Sequence, residues 1–292
     1  MNKKRATAQI VNYFKMIKFS HTIFALPFAF SAVVLASRDQ SISLSDIFWI
    51  LIAMAAARSA AMGFNRVADL KFDSKNPRTC QREIPAGRIS FSAAVIFIAI
   101  SSFLFIFAAG MLGKLCFYLS FPVLGLLFLY SFTKRFTYFS HIYLGFVISI
   151  APIGAWIAIT GTFSWSVLLL SMALLTHIAG FDILYACQDT DFDIKAGLFS
   201  VPARFGIKKA FRISEMIHIL SLIFFFLIYL EFNMGNIYLC AMVIIGCLMI
   251  CEHKLIKPDD LSNINVAFFH INSIISIVLF GGILLDEAVR WF

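Results

Sequence analysis

LSDIFWILIAMAAARSAAMGFNRVADLKFD, residues 44–73, passes from a long apolar run directly into an acidic one. The apolar part, 44–63, has the length of about 20 residues that an α-helix needs to cross a bilayer. Asn65, Asp69 and Asp73 follow at spacings of four, which predicts one helical stripe where the apolar helix meets a basic loop. The transition recurs where the apolar run 166–187 ends in QDTDFD and sets Asp189 and Asp193 four apart. Carboxylates stacked in this way repel one another unless a cation bridges them. Hard oxygen ligands suit magnesium, which keeps several waters and shares phosphate oxygens. The expected guest is a magnesium-bound diphosphate. Asp191, between the two aspartates of the second run, should point away into solvent.

The rest of the chain places these runs at a membrane. Of 292 residues, 61% are hydrophobic and 14% charged, against about a quarter charged in soluble domains. Apolar spans at 22–37, 44–63, 91–110, 114–132, 141–160, 166–187, 213–231, 235–251 and 267–286 predict an all-α integral membrane protein of nine transmembrane helices, a single domain over 1–292. The first span follows a polar, basic segment and has no small-residue cleavage site after it, so it reads as a retained helix rather than a signal peptide. Alternating the loops gives one side twenty Lys and Arg residues and the other only Arg38, Lys114 and Arg290. The basic side is the cytoplasmic one, so the N-terminus should be cytoplasmic and the C-terminus opposite. This retention signal accounts for the net charge of +8; no aromatic-interleaved basic face points to nucleic acid.

Both acidic runs open long cytoplasmic loops, 64–90 and 188–212, that echo each other. Each closes on a proline-centred basic segment, IPAGRIS around Pro85 and VPARFG around Pro202. Pro77, Gly87, Pro202 and Gly206 should break or cap short helices, so the loops are expected to form a cap over the membrane. Tyr130 and Lys134, in YSFTK, end the fourth span four residues apart, and Lys134 could clamp a diphosphate oxygen. Arg78, Arg82 and Arg88 could close over the same anion or bind lipid headgroups.

Two ionisable residues lie inside spans, where charge is costly and usually serves a cavity. Arg58 and Asp182 each precede a member of an acidic run, Asn65 or Asp189, by seven residues, which is two helical turns on one face. Arg58 could bind an anionic group and Asp182 orient an acceptor or a metal-bound water; a buried pair of the two with each other, or a hydrogen bond across helices, is the structural alternative. Six histidines show no metal-ligand spacing and read as polar packing, and Asn272 reads as a helix–helix hydrogen bond. The six cysteines contain no C-x-x-C pair. Cys240, Cys247 and Cys251 share one helical face as small packing residues, and disulfides are not implied.

NRVADLKFDSKNPRT followed by REIPAGRIS resembles the N-x-x-x-D-x-x-x-D motif of the UbiA superfamily of membrane prenyltransferases. GFDILYACQDTDFDIKAGLFSVPARFG resembles its second motif in the extended form DxxYAxQDxxxD, and YSFTK its Y-x-x-x-K element. The resemblance implies a horseshoe of nine helices around a central cavity, with a cytoplasmic cap and a lateral opening to lipid. It implies that Asn65, Asp69, Asp73, Asp189 and Asp193 hold Mg2+ on a polyprenyl diphosphate, the four aspartates being catalytic. Lys134, Tyr130, Arg78 and Arg82 would bind the diphosphate, and Arg58 and Asp182 an aromatic carboxylic acid. The QDxxxD form and PRTxxREIPAG are most similar to 4-hydroxybenzoate polyprenyltransferases of ubiquinone synthesis, in the bacterial inner membrane. KFSHTIFALPFAF, residues 18–30, resembles a bacterial subgroup associated with a menaquinone route through a naphthoate acceptor. A membrane transporter without chemistry is the alternative of another class.

Overall fold

The computed structural model describes the backbone of residues 3–291 and the side chains of 9–18 and 20–290. The basic side chains of Lys3, Lys4 and Arg5, counted for orientation, lie outside that set, as do both chain ends and the side chain of Phe19. Among the described residues the protein is helical, with no strand and a single isolated bridge between Lys257 and Asp260. Eight helices are long and apolar enough to cross a bilayer, and nine if Gln9–Phe24 and Leu26–Ala36 count as one bent span. The bend corrects the expected continuous span over 22–37. A 3-10 turn covers Phe19–Phe24, and helix α2 restarts at Leu26–Ala36 with Pro27 in its first turn. Proline lacks the N–H that a continuing helix would need and is accepted only where that donor is unused.

The chain divides into two units: Met1–Thr22 with Ile47–Phe132, and Ile23–Asp46 with Thr133–Phe292. The first contains α1 (Lys3–Met16), α3 (Leu44–Ala68), the four-residue α4 (Leu70–Asp73), α5 (Phe91–Leu112) and α6 (Lys114–Thr133). Gly63 lets α3 approach α5, since a Cβ there would lie 3.0 Å from Ile98 Cγ1. Phe64 stacks on Phe128 of α6 with centroids 4.2 Å apart. Segment 74–90 is folded: Ile84 and Ile89 join Met16, Ile17 and Ala94 in a small apolar core, and Thr79 Oγ1 donates to the Asp73 carbonyl at 3.2 Å. Gly87, at φ +71°, makes a turn open to glycine, and the Ser90 hydroxyl caps α5 by accepting from Ala93 N–H.

The second unit is a ring of six helices. Around it run α2, α7 (Ser140–Thr160), α8 (Ser166–Ala186), α11 (Ile207–Glu231), α12 (Asn236–Leu255) and α14 (Asn272–Trp291), each against the next, with α14 closing on α2. The short α9 (Thr190–Ala196) and α10 (Val201–Phe205) follow α8, and α13 (Ile264–Val266) leads by a π-turn into α14. Small residues let the helices close up, as expected where packing rather than water drives association. Gly145 of α7 faces the Leu175 carbonyl of α8, and Gly180 of α8 receives the His218 ring of α11. Polar side chains within the ring find each other. Asn272 Nδ2 donates to Glu252 Oε1 at 2.8 Å, the predicted helix–helix bond, and His218 Nδ1 lies 2.9 Å from His253 Nε2. Arg38 pairs with the buried Glu287 and donates to the Phe232 carbonyl at 2.7 Å.

One expectation changes. Cys240, Cys247 and Cys251 share a face of α12, but it is the exposed face, so they do not pack the interior. Their spacing set the common face, whereas the side of α12 that meets α11 and α14 is set by residues such as Ala241, Ile245 and Met249, which are buried. Pro202 and Gly206 bound a short helix, as expected: Pro202 sits in the first turn of α10, after the N-capping Ser200, and Gly206 at φ +81° ends it.

Candidate active site

Each acidic run begins at a break in a helix. Helix α3 stops at Ala68, Asp69 adopts φ −93° and ψ 4°, and α4 carries Asp73 as its fourth residue. Helix α8 stops at Ala186, a 3-10 turn covers Cys187–Asp189, Asp189 adopts φ −101° and ψ 5°, and α9 carries Asp193 as its fourth residue. The expected helical stripe at the span end is present, with a local irregularity at each leading aspartate. Both leading aspartates sit at the N-cap position in the sparsely populated bridge region, and neither carboxylate caps its helix. Spacing of four survives because the backbone bonds continue across the first break: Asp69 N–H donates to Asn65 O at 2.9 Å and Asp73 N–H to Asp69 O at 2.8 Å.

In the first unit, Asn65 Nδ2 donates to Asp69 Oδ2 at 2.9 Å, so the neutral amide and the carboxylate share one side of the chain. Arg82 Nη1 meets both oxygens of the buried Asp73, at 2.7 and 2.8 Å. Arg78 is exposed, and its N–H donates to Asn76 Oδ1 at 2.9 Å. Arg88, also exposed, turns back to the Gln81 carbonyl and lies 3.6 Å from Glu83. Arg66 was not singled out, yet it is buried, donates through Nε to the Met16 carbonyl at 3.2 Å and lies 3.5 Å from Asn65 Oδ1. Its helical position one residue after Asn65 was the only signal. Arg58 is engaged by the chain's N-terminal segment: Nη2 donates to the carbonyl of Lys18, which itself adopts φ +49°. Its Nε is buried without a hydrogen-bond partner. Tyr130 is half-buried near the end of α6.

In the second unit, Asp189 and Asp193 are both buried. The Ser200 side chain and Lys134 lie close enough to act on the charge of Asp193. Asp193 Oδ2 is buried and has no hydrogen-bond partner. A carboxylate oxygen left dry and unpaired is costly, and a cation is the partner that removes the cost. Asp191 is exposed, as expected. Segment 197–200 is tied back by Phe199 N–H, which donates to the Lys134 carbonyl at 2.7 Å. Asp182 does not stand alone in its span. Its Oδ2 lies 2.6 Å from Nδ1 of the fully buried His141 on α7, the cross-helix alternative. No sequence signal joined residues 41 positions apart.

Among the described residues, no three His, Cys, Asp or Glu side chains group to hold a metal ion. Magnesium takes one or two carboxylates, waters and substrate phosphates rather than a protein cage. The all-oxygen donor set and the orphaned Asp193 oxygen fit it.

The comparisons with known proteins agree with this reading. A model of the UbiA prenyltransferase family matches residues 25–274. The 4-hydroxybenzoate octaprenyltransferase of Vibrio campbellii is 28% identical over 280 residues, covering 94% of this chain and 96% of its own. That of Pseudomonas fluorescens strain Pf0-1 is 33% identical over 252 residues, covering 85% and 83%. The apo structure of a UbiA homolog from Aeropyrum pernix K1 superposes with a TM-score of 0.83 at 30% identity, covering 91% of this chain and 98% of that one. A UbiA homolog from Archaeoglobus fulgidus bound to GPP and Mg2+ shares the fold, with a TM-score of 0.69 at 18% identity over 93% and 99% of the two chains. The chain, a multi-pass membrane protein and a prenyltransferase, belongs to the UbiA prenyltransferase family.

Proposed function

We propose that the protein transfers a polyprenyl group from a polyprenyl diphosphate to 4-hydroxybenzoate, a step of ubiquinone synthesis, in a bacterial inner membrane with its N-terminus in the cytoplasm. The observation that carries this reading is the repeated helix restart, which twice delivers an uncapped aspartate and a second aspartate four residues on, at the end of a span. The curated relatives support the acceptor through their names, and the A. fulgidus homolog supports a prenyl diphosphate with Mg2+.

On this reading Asn65, Asp69 and Asp73 from one run and Asp189 and Asp193 from the other supply oxygens for Mg2+. When bound, the metal neutralises the diphosphate and so makes it a leaving group. Lys134, Tyr130, Arg78 and Arg82 hold diphosphate oxygens, where fixed positive charge and donors stabilise the charge that develops as the carbon–oxygen bond breaks. Arg58 pairs with the acceptor's carboxylate through donors that include its orphaned Nε. Asp182 accepts from the ring hydroxyl and orients the electron-rich carbon toward the allylic cation. Loss of that carbon's proton restores the ring. Apolar span residues exclude the water that would quench the cation.

The test incubates the lipid-reconstituted protein with Mg2+, a polyprenyl diphosphate and 4-hydroxybenzoate, and measures prenylated acid and released pyrophosphate. Prenylated 4-hydroxybenzoate is the expected product. A parallel arm with a dihydroxynaphthoate-type acid tests the acceptor suggested by residues 18–30. Absence of pyrophosphate release with both acids would overturn the assignment of an aromatic-acid acceptor.

A further inference from the structure

The geometry points to His141 as a positioning residue for the aromatic acceptor, acting through Asp182; this rests on the assignment of Asp182 to the acceptor proposed above. His141 is the second residue of α7 and is closed off completely, whereas the Asp182 side chain keeps 16% exposure. The two ring nitrogens do different work. Nε2 accepts a hydrogen bond from the Val201 N–H at 3.4 Å, and Nδ1 faces Asp182 Oδ2 at 2.6 Å. A nitrogen that accepts carries no proton, so the ring proton is on Nδ1 and is donated to the carboxylate.

Val201 opens α10, and its amide is held in place from the sequence side. The preceding Ser200 caps α10 by accepting from Ala203 N–H at 3.3 Å, and the same side chain lies near Asp193. Phe199 N–H is fixed on the Lys134 carbonyl. The histidine is thus fastened to the segment that follows the second acidic run, and it passes that constraint to a carboxylate inside the span. With Oδ2 taken by a charge-strengthened bond, Asp182 is fixed in rotation and offers its other oxygen in one direction. A ring hydroxyl of the acceptor needs that fixed oxygen; the prenyl donor does not.

The experiment measures KM for each substrate and kcat in the reconstituted protein for His141→Phe, His141→Asn, Asp182→Asn and the double variant His141→Phe/Asp182→Asn. His141→Phe raises the acceptor KM about tenfold, the worth of a hydrogen bond to a charged group, and leaves the donor KM unchanged. His141→Asn, whose Nδ2 stands where the imidazole Nδ1 stands and can still donate to the carboxylate, recovers most of that loss. The double variant is no worse than Asp182→Asn alone, because the histidine has no other route to the substrate. Additive losses in the double variant, or equal changes in both KM values, would overturn the proposal. If His141→Phe fails to fold, His141→Leu carries the same expectation, since it offers Asp182 no donor. An unchanged acceptor KM in Asp182→Asn would remove Asp182 itself from the acceptor site, and the role of His141 with it. A raised one beside an unaffected His141→Phe would remove only the histidine.

Discussion

Asp73 and Asp193 occupy the same place in the same local structure, the fourth residue of a short helix that starts beside an aspartate in bridge conformation. Their surroundings differ. Asp73 is met by Arg82 on both oxygens, while Asp193 keeps one buried oxygen without a hydrogen-bond partner and has Lys134 only as a neighbouring charge. One backbone device therefore presents a compensated carboxylate in the first unit and an uncompensated one in the second. The difference teaches that spacing fixes where the oxygens stand but not how strongly they call for a cation. That demand is set by residues nine positions away or in another loop.

The leading aspartates share their backbone geometry and should fail alike. Asp69→Ala and Asp189→Ala are each expected to lower kcat by about 10³-fold, the scale of losing one preorganised electrostatic contact to a reacting group, while the protein still inserts and elutes as the wild type does. Near-normal turnover of either variant at saturating Mg2+ would break the symmetry between the two runs. The trailing aspartates should separate. Asp193→Asn is expected to raise the Mg2+ concentration for half-maximal activity about tenfold, and Asp73→Asn only about threefold, because an adjacent guanidinium already offsets much of the Asp73 charge. The measurement is a Mg2+ titration of activity at fixed donor. Equal shifts would show that the Arg82 pair opens when substrate arrives, so that both carboxylates act alike in the loaded enzyme.

The spans, the two acidic runs and their place at span ends were legible because each is a local pattern: apolar length, a spacing of four, a proline and a glycine at loop ends. The breaks at Asp69 and Asp189 were not legible, since Asn65 to Asp73 reads equally well as an unbroken helix. Two other features depended on long-range contact. His141 meets Asp182 across two helices, and Arg66 is buried against the carbonyl of Met16, fifty residues earlier. Periodicity carries no information about which helix packs against which. Asn272 was legible because a polar residue in an apolar span must find a partner; that the partner is Glu252 needed the fold.

Arg58 sharpens the comparison from the substrate side. Its guanidinium is anchored by one bond to the Lys18 carbonyl, and its Nε is buried with no hydrogen-bond partner. Arg58→Ala is expected to raise the acceptor KM about tenfold with the donor KM unchanged, as for loss of a charged hydrogen bond. Steady-state kinetics with each substrate varied in turn check this. An unchanged acceptor KM would leave Arg58 as a clasp for the N-terminal segment alone.

The two units also differ in how tightly their helices close, and this yields the smallest expected effect on turnover. Alanine at Gly145 would place its Cβ 2.3 Å from the Leu175 carbonyl oxygen, a backbone atom that moves only if α7 and α8 separate. Alanine at Gly63 would meet Ile98 Cγ1 at 3.0 Å, a side-chain atom that can give by a few tenths of an ångström. Alanine also gains about 1 kcal/mol over glycine in a helix interior. That gain cancels the mild crowding at Gly63, whereas overpacking at Gly145 costs about 1–3 kcal/mol or more. Thermal unfolding in detergent should show Gly145→Ala melting several degrees below Gly63→Ala, with Gly63→Ala close to the wild type. A reversed order would mean that α3 and α5, not the six-helix ring, hold the tighter packing, and that the uncompensated Asp193 stands on the looser of the two scaffolds.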